Sequence, residues 1–315
     1  YEEGLVAFAV TNMSSLKSPE NAKNVLAVGA TSNPNCENHG SGGQGPTADG
    51  RRKPEIYAPG CSNRSAVPGS CSTSTMCGTS MACPAIPGAG LLVRQYFTEG
   101  FYPSGVANAS DALVPSGALL RATLINGTFD MSGVNGYPSN REGWGRLVLD
   151  ETLSFTGESR GMWVVDVRNA DGLETGGVTE YPLQVSSSSE ALKVTLAFTE
   201  PAATVGAADP VINDIDLELV APDGASYKGN WFASGQSSTG GSFHGKNSVA
   251  RVVLNAPLAG TWTLPVIAAD VPARPQRSAL AAGRARRPDL PAVDAAPAAL
   301  PLPPHPPRPH PPHPT

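Results

Sequence analysis

Ser80 lies in the run Cys77-Gly78-Thr79-Ser80-Met81-Ala82-Cys83-Pro84, which continues as Ala85-Ile86-Pro87-Gly88-Ala89-Gly90-Leu91-Leu92-Val93. A Gly-Thr-Ser turn that opens directly into small and apolar residues predicts a helix with Ser80 at its N-terminus. There the free N–H groups and the partial positive charge of the helix end favour a developing oxyanion, and small neighbours admit a substrate backbone. That is the setting a nucleophilic serine needs. The same run also fits a serine that merely caps a helix, the commonest reason for a serine at that place. A serine hydroxyl attacks poorly unless a base takes its proton and a carboxylate orients that base.

The seven residues Gly78-Thr79-Ser80-Met81-Ala82-Cys83-Pro84 resemble the Gly-Thr-Ser-Met-Ala-x-Pro signature at the nucleophile of the subtilisin-like serine proteases (subtilases, peptidase S8). Further matches stand upstream in the family's order: Asn24-Val25-Leu26-Ala27-Val28-Gly29-Ala30, then Gly45-Pro46-Thr47-Ala48-Asp49-Gly50, then Pro54-Glu55-Ile56-Tyr57-Ala58-Pro59-Gly60. Together they resemble the last third or so of a subtilase catalytic domain. On this resemblance Ala9-Val10-Thr11-Asn12 stands where the family has Ala-Ala-Gly-Asn, so Asn12 inherits the role of side-chain donor to the oxyanion. Loss of one such donor costs roughly 2.7–4 kcal/mol, a magnitude established in a subtilisin itself. Thr11 replaces the family's Gly and is expected to narrow the substrate cleft, and Asn12-Met13-Ser14 also reads as a glycosylation sequon. Pro87, inside the first turns of the expected helix, is unusual for the family and predicts a kink.

The family's chain order is Asp, His, Ser, yet no Asp or His precedes Asn12. His39 precedes Gly40-Ser41 without the family's His-Gly-Thr-His context and is expected to be a surface histidine. His244, in Gly240-Gly241-Ser242-Phe243-His244-Gly245, is an equally poor base. The segment is therefore expected not to hydrolyse peptides alone, with the triad Asp and His supplied by an upstream part of its own catalytic domain. A strand-like Gly4-Leu5-Val6-Ala7-Phe8-Ala9-Val10 directly after Tyr1 leads to the same expectation, that the chain begins in mid-domain.

At 315 residues the chain has room for two domains. Its 34 Gly and 31 Pro require many turns and disfavour a helical bundle. The formal charge is −5 overall and −9 before residue 273, which argues against a nucleic-acid partner and is compatible with bound cations. No apolar run reaches the roughly 18 residues of a membrane-spanning helix, so no membrane partner is expected. Cys36, Cys61, Cys71, Cys77 and Cys83 form no C-x-x-C pair, which favours one or two disulfides and a secreted, extracellular location.

Residues 1–155 mix buried strands with one helical pattern, an α/β organisation that the resemblance makes a truncated subtilisin-like parallel-sheet domain. From 156 to 282 the period falls to 2: Val194, Leu196, Phe198; Ile215, Leu217, Leu219; Val249, Arg251, Val253; Trp262, Leu264, Val266, with turns such as Ala221-Pro222-Asp223-Gly224. That pattern predicts an all-β jelly-roll or sandwich domain. Leu192–Thr199, Asn213–Gly224, Gly245–Val253 and Gly260–Thr263 resemble the C-terminal jelly-roll domain of the subtilase branch of oxidatively stable alkaline proteases, which implies a domain that stabilises the catalytic one. Residues 283–315 hold 12 of the 31 prolines and three of the five histidines and are expected to be a disordered tail; the change of composition after Pro272 also fits a reading-frame error.

Alternation places Asp214, Asp216 and Glu218 on one strand face within about 14 Å. Crowded carboxylates are relieved by Ca²⁺, with Asp214 and Asp216 the first ligand candidates and Asp209 and Asp223 weaker ones, although a solvated acidic face explains them equally well. The leading expectation is thus the C-terminal part of a serine endopeptidase acting on protein or peptide substrates. The alternative is a non-catalytic protein whose β domain binds or scaffolds and whose subtilase segment is vestigial. A serine esterase is a poorer third reading, because Gly78-Thr79-Ser80-Met81-Ala82 lacks the Gly-x-Ser-x-Gly elbow.

Overall fold

The change of period near residue 155 corresponds to a change of architecture. A computed structural model describes residues 2–32, 37–69, 71–158, 161–273 and 275–283, with backbone alone at 285–286. The expected disordered tail lies outside the described residues.

The first part is a mixed sheet with helices. Its strands are β1 (Val6–Ala9), β2 (Val25–Thr31), β3 (His39–Ser41), β4 (Ile56–Pro59), β5 (Asn63–Ala66), β6 (Thr73–Met76), β7 (Thr128–Phe129) and β8 (Arg146–Leu147). The order is β1-β2-β4-β8-β7, with β3 on β2 and the β5–β6 hairpin separate. Pairs β1–β2, β2–β4 and β4–β8 are parallel, as expected, whereas β3 and β7 add antiparallel contacts. Leu26, Ala27, Val28, Ile56 and Tyr57 are fully buried, as a parallel sheet covered on both faces requires.

Helix α1 (Thr79–Ala82) is followed through Cys83 and Pro84, both helical in φ and ψ, by α2 (Ala85–Thr98). Ile86, Ala89, Gly90, Val93, Tyr96 and Phe97 form its buried face. Pro87 does not break α2: it sits in the first turn, where its N–H would have no intrahelical acceptor, and Cys83 O accepts from Ile86 N instead. Helix α3 (Gly117–Asn126) is buried at all ten residues because it lies between the first sheet's helical layer and the second part of the chain.

That second part is two antiparallel sheets. They contain β9 (Met162–Val167), β10 (Val178–Val185), β11 (Leu192–Ala197), β12 (Asp214–Val220), β13 (Ser226–Ala233), β14 (Gln236–Thr239), β15 (Val249–Leu254), β16 (Gly260–Asp270), β17 (Ser278–Gly283) and β18 (Ala285–Arg286). One sheet runs β14-β13-β12-β16-β10-β18, the other β15-β11-β17-β9. Leu196, Phe198, Leu217, Leu219, Trp262 and Leu264 share a core between them.

Two features differ from the expected pattern. On β15 the inner residues are Ala250, Val252 and Leu254, while Val249, Arg251 and Val253 are also buried on the other face. That face meets the first part of the molecule, where Val249 joins the core that contains α2 and α3. The change of composition after Pro272 is no structural border either, since β17 pairs with both β11 and β9 and its Ala279, Leu280, Ala281 and Ala282 are buried.

Polar contacts fasten the two parts together. Arg251 is fully buried and donates to Thr128 Oγ1 (2.7 Å), Tyr137 OH (2.9 Å), Thr128 O (3.1 Å) and Asn126 O (3.3 Å). Glu55 accepts from Ala27 N (2.9 Å) and Lys53 Nζ (2.8 Å) and pairs with Arg121, whose other nitrogen donates to Ser248 Oγ (3.0 Å). Lys23 pairs with Glu200 at 2.6 Å.

Candidate active site

The C-terminal ends of the parallel strands β1, β2 and β4 converge, the place where open α/β sheets put their ligands. Chain leaving β4 turns at Gly60, whose N–H donates to Thr31 O (3.2 Å). Chain returning from the β5–β6 hairpin passes beside it, with Gly78 N donating to Gly60 O (2.8 Å). A side chain at Gly60 would strike Ala30 Cβ, so only glycine allows the two segments to lie this close to β2. The Cys61–Cys77 disulfide closes the hairpin at its base, and Asn63 Nδ2 donates to Pro59 O (2.7 Å) and Met81 O (2.9 Å). Cys71 and Cys83 are free thiols, with burial raising the pKa of Cys83, and Cys36 lies outside the described residues.

Gly78, at φ 146°, is the residue before α1. Ser80 is therefore inside the first turn and not the helix cap, which removes the simple capping explanation for it. Its side chain is exposed, and its N–H makes no hydrogen bond among the described residues.

Asn12 arrives from the end of β1. Its Oδ1 accepts from Thr79 N (3.0 Å), Thr79 Oγ1 (3.1 Å) and Ser41 Oγ (3.3 Å). An amide whose oxygen is committed in this way turns its NH₂ outward, and Nδ2 has no acceptor among the described residues. The fold thus brings Asn12 against the residue preceding Ser80 and leaves two unspent donors, Asn12 Nδ2 and Ser80 N–H, at one edge of the sheet.

Neither of the two described histidines, His39 and His244, is hydrogen-bonded to Ser80. His39 is not the surface residue expected: on β3 it is half-buried, its ring 5.8 Å from that of Tyr57, and its Nε2 is buried without a partner. Burial, reinforced by Arg141, lowers its pKa. His244 is exposed and stacks on Trp231 with ring centroids 6.1 Å apart. Among the described residues no histidine is hydrogen-bonded to Ser80.

The acidic face expected on β12 is divided. Asp216 is 6 % exposed and its pKa is raised to about 7, by burial first and Asp214 second. Asp214 lies opposite Asp270, and burial, Asp270 and Glu200 raise its pKa. Glu218 instead takes a hydrogen bond from Ser226 and lies opposite Lys228. Asp209 is occupied in its own loop by Val211 N (3.2 Å), and Asp223 accepts from Ala225 N (3.0 Å) in the β12–β13 turn. Among the described residues no three His, Cys, Asp or Glu side chains are grouped to hold a metal ion.

Comparison with known proteins finds similarity over the first part of the chain and beyond it. Residues 2–145 match the model of the subtilase family. Among curated proteins, a serine protease/ABC transporter B family protein of Dictyostelium discoideum, tagD, is 32% identical over 232 residues, covering 56% of this chain and 13% of the relative. Its counterpart tagA is 33% identical over 211 residues, covering 60% and 12%. A third, tagB, is 26% identical over 294 residues and covers 74% of this chain and 15% of its own length. That coverage exceeds the family segment, so the likeness runs on into the antiparallel sheets. The chain spans about an eighth of the length of these relatives. Among solved structures, the PatG macrocyclase in complex with peptide is 23% identical, with a TM-score of 0.36, over 46% of this chain and 40% of that one. Residues 2–145 of this chain thus resemble a subtilase-family domain.

Proposed function

We propose that the chain is the nucleophile-bearing part of a secreted subtilisin-like serine endopeptidase, with Ser80 as nucleophile and Asn12 and the Ser80 amide as oxyanion donors. The observation that carries this reading is the pair of unspent donors beside an exposed serine on a subtilase-family segment. Ser80 Oγ would add to the scissile carbonyl carbon while a base takes its proton. The carbonyl oxygen, now negative, would sit between Asn12 Nδ2 and the Ser80 N–H. Collapse expels the amine, which carries away that proton, and water releases the acyl group by the reverse sequence.

The base and its carboxylate have to come from another segment, because His39 and His244 are engaged elsewhere. The first sheet has a suitable opening. β1 is an edge strand in a parallel sheet, with Val6 56% and Phe8 41% exposed, and Leu91 and Leu92 of α2 are 68% and 53% exposed. Parallel sheets are normally covered, so a segment bringing Asp and His would dock on this edge. The antiparallel sheets are read as the jelly-roll domain that supports the catalytic one, and protein or peptide as the substrate. The Cys61–Cys77 disulfide suits an oxidising, extracellular setting. No cation is assigned a part.

The competing reading is a binding or scaffolding protein with a vestigial protease segment, favoured by the absence of a histidine on Ser80 among the described residues. One experiment separates the two. The full-length protein and its Ser80→Ala variant are incubated with casein and with a fluorophosphonate probe. Cleavage and probe labelling that both vanish in Ser80→Ala support the peptidase; activity retained in that variant, or an unlabelled and inactive full-length protein, sinks it.

A further inference from the structure

Glu20 is a buried carboxylate without a cation. It is 2 % exposed, and among the described residues no Lys, Arg or His forms an ion pair with it. Its Oε1 accepts instead from two backbone donors, Lys17 N (2.6 Å) and Thr11 N (3.2 Å). Burying carboxyl oxygens away from water is costly unless they are hydrogen-bonded, and two N–H bonds offset that cost only where the chain is held in one geometry. The chain so held is the loop leaving β1, and the third residue of that loop is Asn12.

The loop's other side is tied to residues 43 and 44. Gly43 N donates to Thr11 O (2.8 Å) and Gln44 N to Ser14 O (3.2 Å). The Thr11 peptide is thus pinned through its N–H by Glu20 and through its C=O by Gly43, immediately before the residue whose amide must be aimed. Thr79 and Ser41 set the rotation of that amide, but they can do so only if the Asn12 Cα stays within reach.

The geometry points to Glu20 as a positioning residue for the oxyanion donor: through the Thr11 and Lys17 amides it fixes the backbone that presents Asn12 beside Ser80. This inference rests on the peptidase reading for its catalytic consequence, though not for the structural one. Both N–H groups use the same carboxylate oxygen, so a glutamine can accept both bonds through its amide carbonyl while an alanine can accept neither.

The test compares Glu20→Ala with Glu20→Gln in the full-length protein. Hydrogen exchange at the Thr11 and Lys17 amides should accelerate by at least about tenfold in Glu20→Ala and stay near the wild-type rate in Glu20→Gln, while the Gly78 amide keeps its protection in both. In peptide hydrolysis well below Tm, Glu20→Ala should lower kcat by at least about tenfold with KM within about twofold, and Glu20→Gln should restore it. Unchanged exchange at Thr11 and Lys17 in Glu20→Ala, or a kcat equal to wild type, overturns the inference. A Gln variant as impaired as the Ala variant also overturns it, because the carbonyl geometry would then be irrelevant. Failure of the peptidase reading shows separately, as activity retained in Ser80→Ala or as a full-length protein that neither cleaves casein nor takes up the fluorophosphonate probe.

Discussion

Thr79 donates both its backbone N–H and its hydroxyl to Oδ1 of Asn12, at 3.0 and 3.1 Å. These residues stand 67 positions apart in the chain, and their contact makes one site of the end of β1 and the start of α1. The two bonds leave the Asn12 NH₂ as the only part of that amide free to meet a substrate.

The first prediction concerns this amide. On the peptidase reading, Asn12→Ala in the full-length protein should lower kcat by about 10²- to 10³-fold with little change in KM, because the lost interaction would form only as the oxyanion does. Thr79→Val, which removes the hydroxyl but keeps the N–H, should cost less, about tenfold. Steady-state kinetics on one peptide substrate checks both, and a change confined to KM would argue that Asn12 binds ground-state substrate instead.

The second is a pH dependence of stability. Glu142 is fully buried, and its pKa is raised to about 7 by burial first, with Asp130 adding to the shift. Asp216 is raised to about 7 as well. Raised carboxyl pKa values mean that the folded state holds protons which the unfolded state has released. Stability should therefore fall as pH rises from about 4 to 7 and level off above that. Glu142→Gln can keep the Met131 N–H bond through its carbonyl and needs no ionisation. It should raise Tm at pH 8 by at least about 3 °C and have a smaller effect at pH 4.5, by calorimetry.

Arg251 supplies the third prediction. Five nitrogen-to-oxygen contacts tie this fully buried guanidinium on β15 to Asn126, Thr128, Tyr137 and Trp144 of the first part. Arg251→Met should destabilise the protein by about 3–5 kcal/mol in urea, because it strands those carbonyl oxygens and hydroxyls. Arg251→Lys should recover little, since an ammonium cannot reach several planar-fork acceptors at once. A cost below about 1 kcal/mol would show that the interface is held by its apolar contacts alone.

The exposed apolar edge gives a fourth. With Val6, Phe8, Leu91 and Leu92 open to solvent, the 315-residue chain produced alone should self-associate. Leu91→Gln with Leu92→Gln should reduce that association in sedimentation while leaving Tm within about 2 °C, as both side chains are already exposed in the fold. On the peptidase reading the same pair should impair activity of the full-length protein if this face of α2 receives the segment carrying the base. Monomeric behaviour of the unaltered chain would mean that the edge is not adhesive.

What the sequence determined by itself were the local features. Gly78-Thr79-Ser80-Met81-Ala82 specified the turn and the helix that opens around Ser80, and alternation located β11, β12 and β16. Each depends on neighbours within a turn or two, and such neighbours are written consecutively. The tertiary structure alone decided which distant groups meet. It placed Asn12 on Thr79, hung the Asn12 loop from Glu20, and buried Asp216 while leaving Glu218 beside Lys228. It also set the Ala-rich Ser278–Gly283 between two strands, a segment whose small side chains carry little pattern in one dimension yet fit closely where β11, β9 and α3 come together. Periodicity reports which face of an element is apolar. It does not report what covers that face, because the covering element is chosen by packing and by the pairing of buried polar groups across the whole fold.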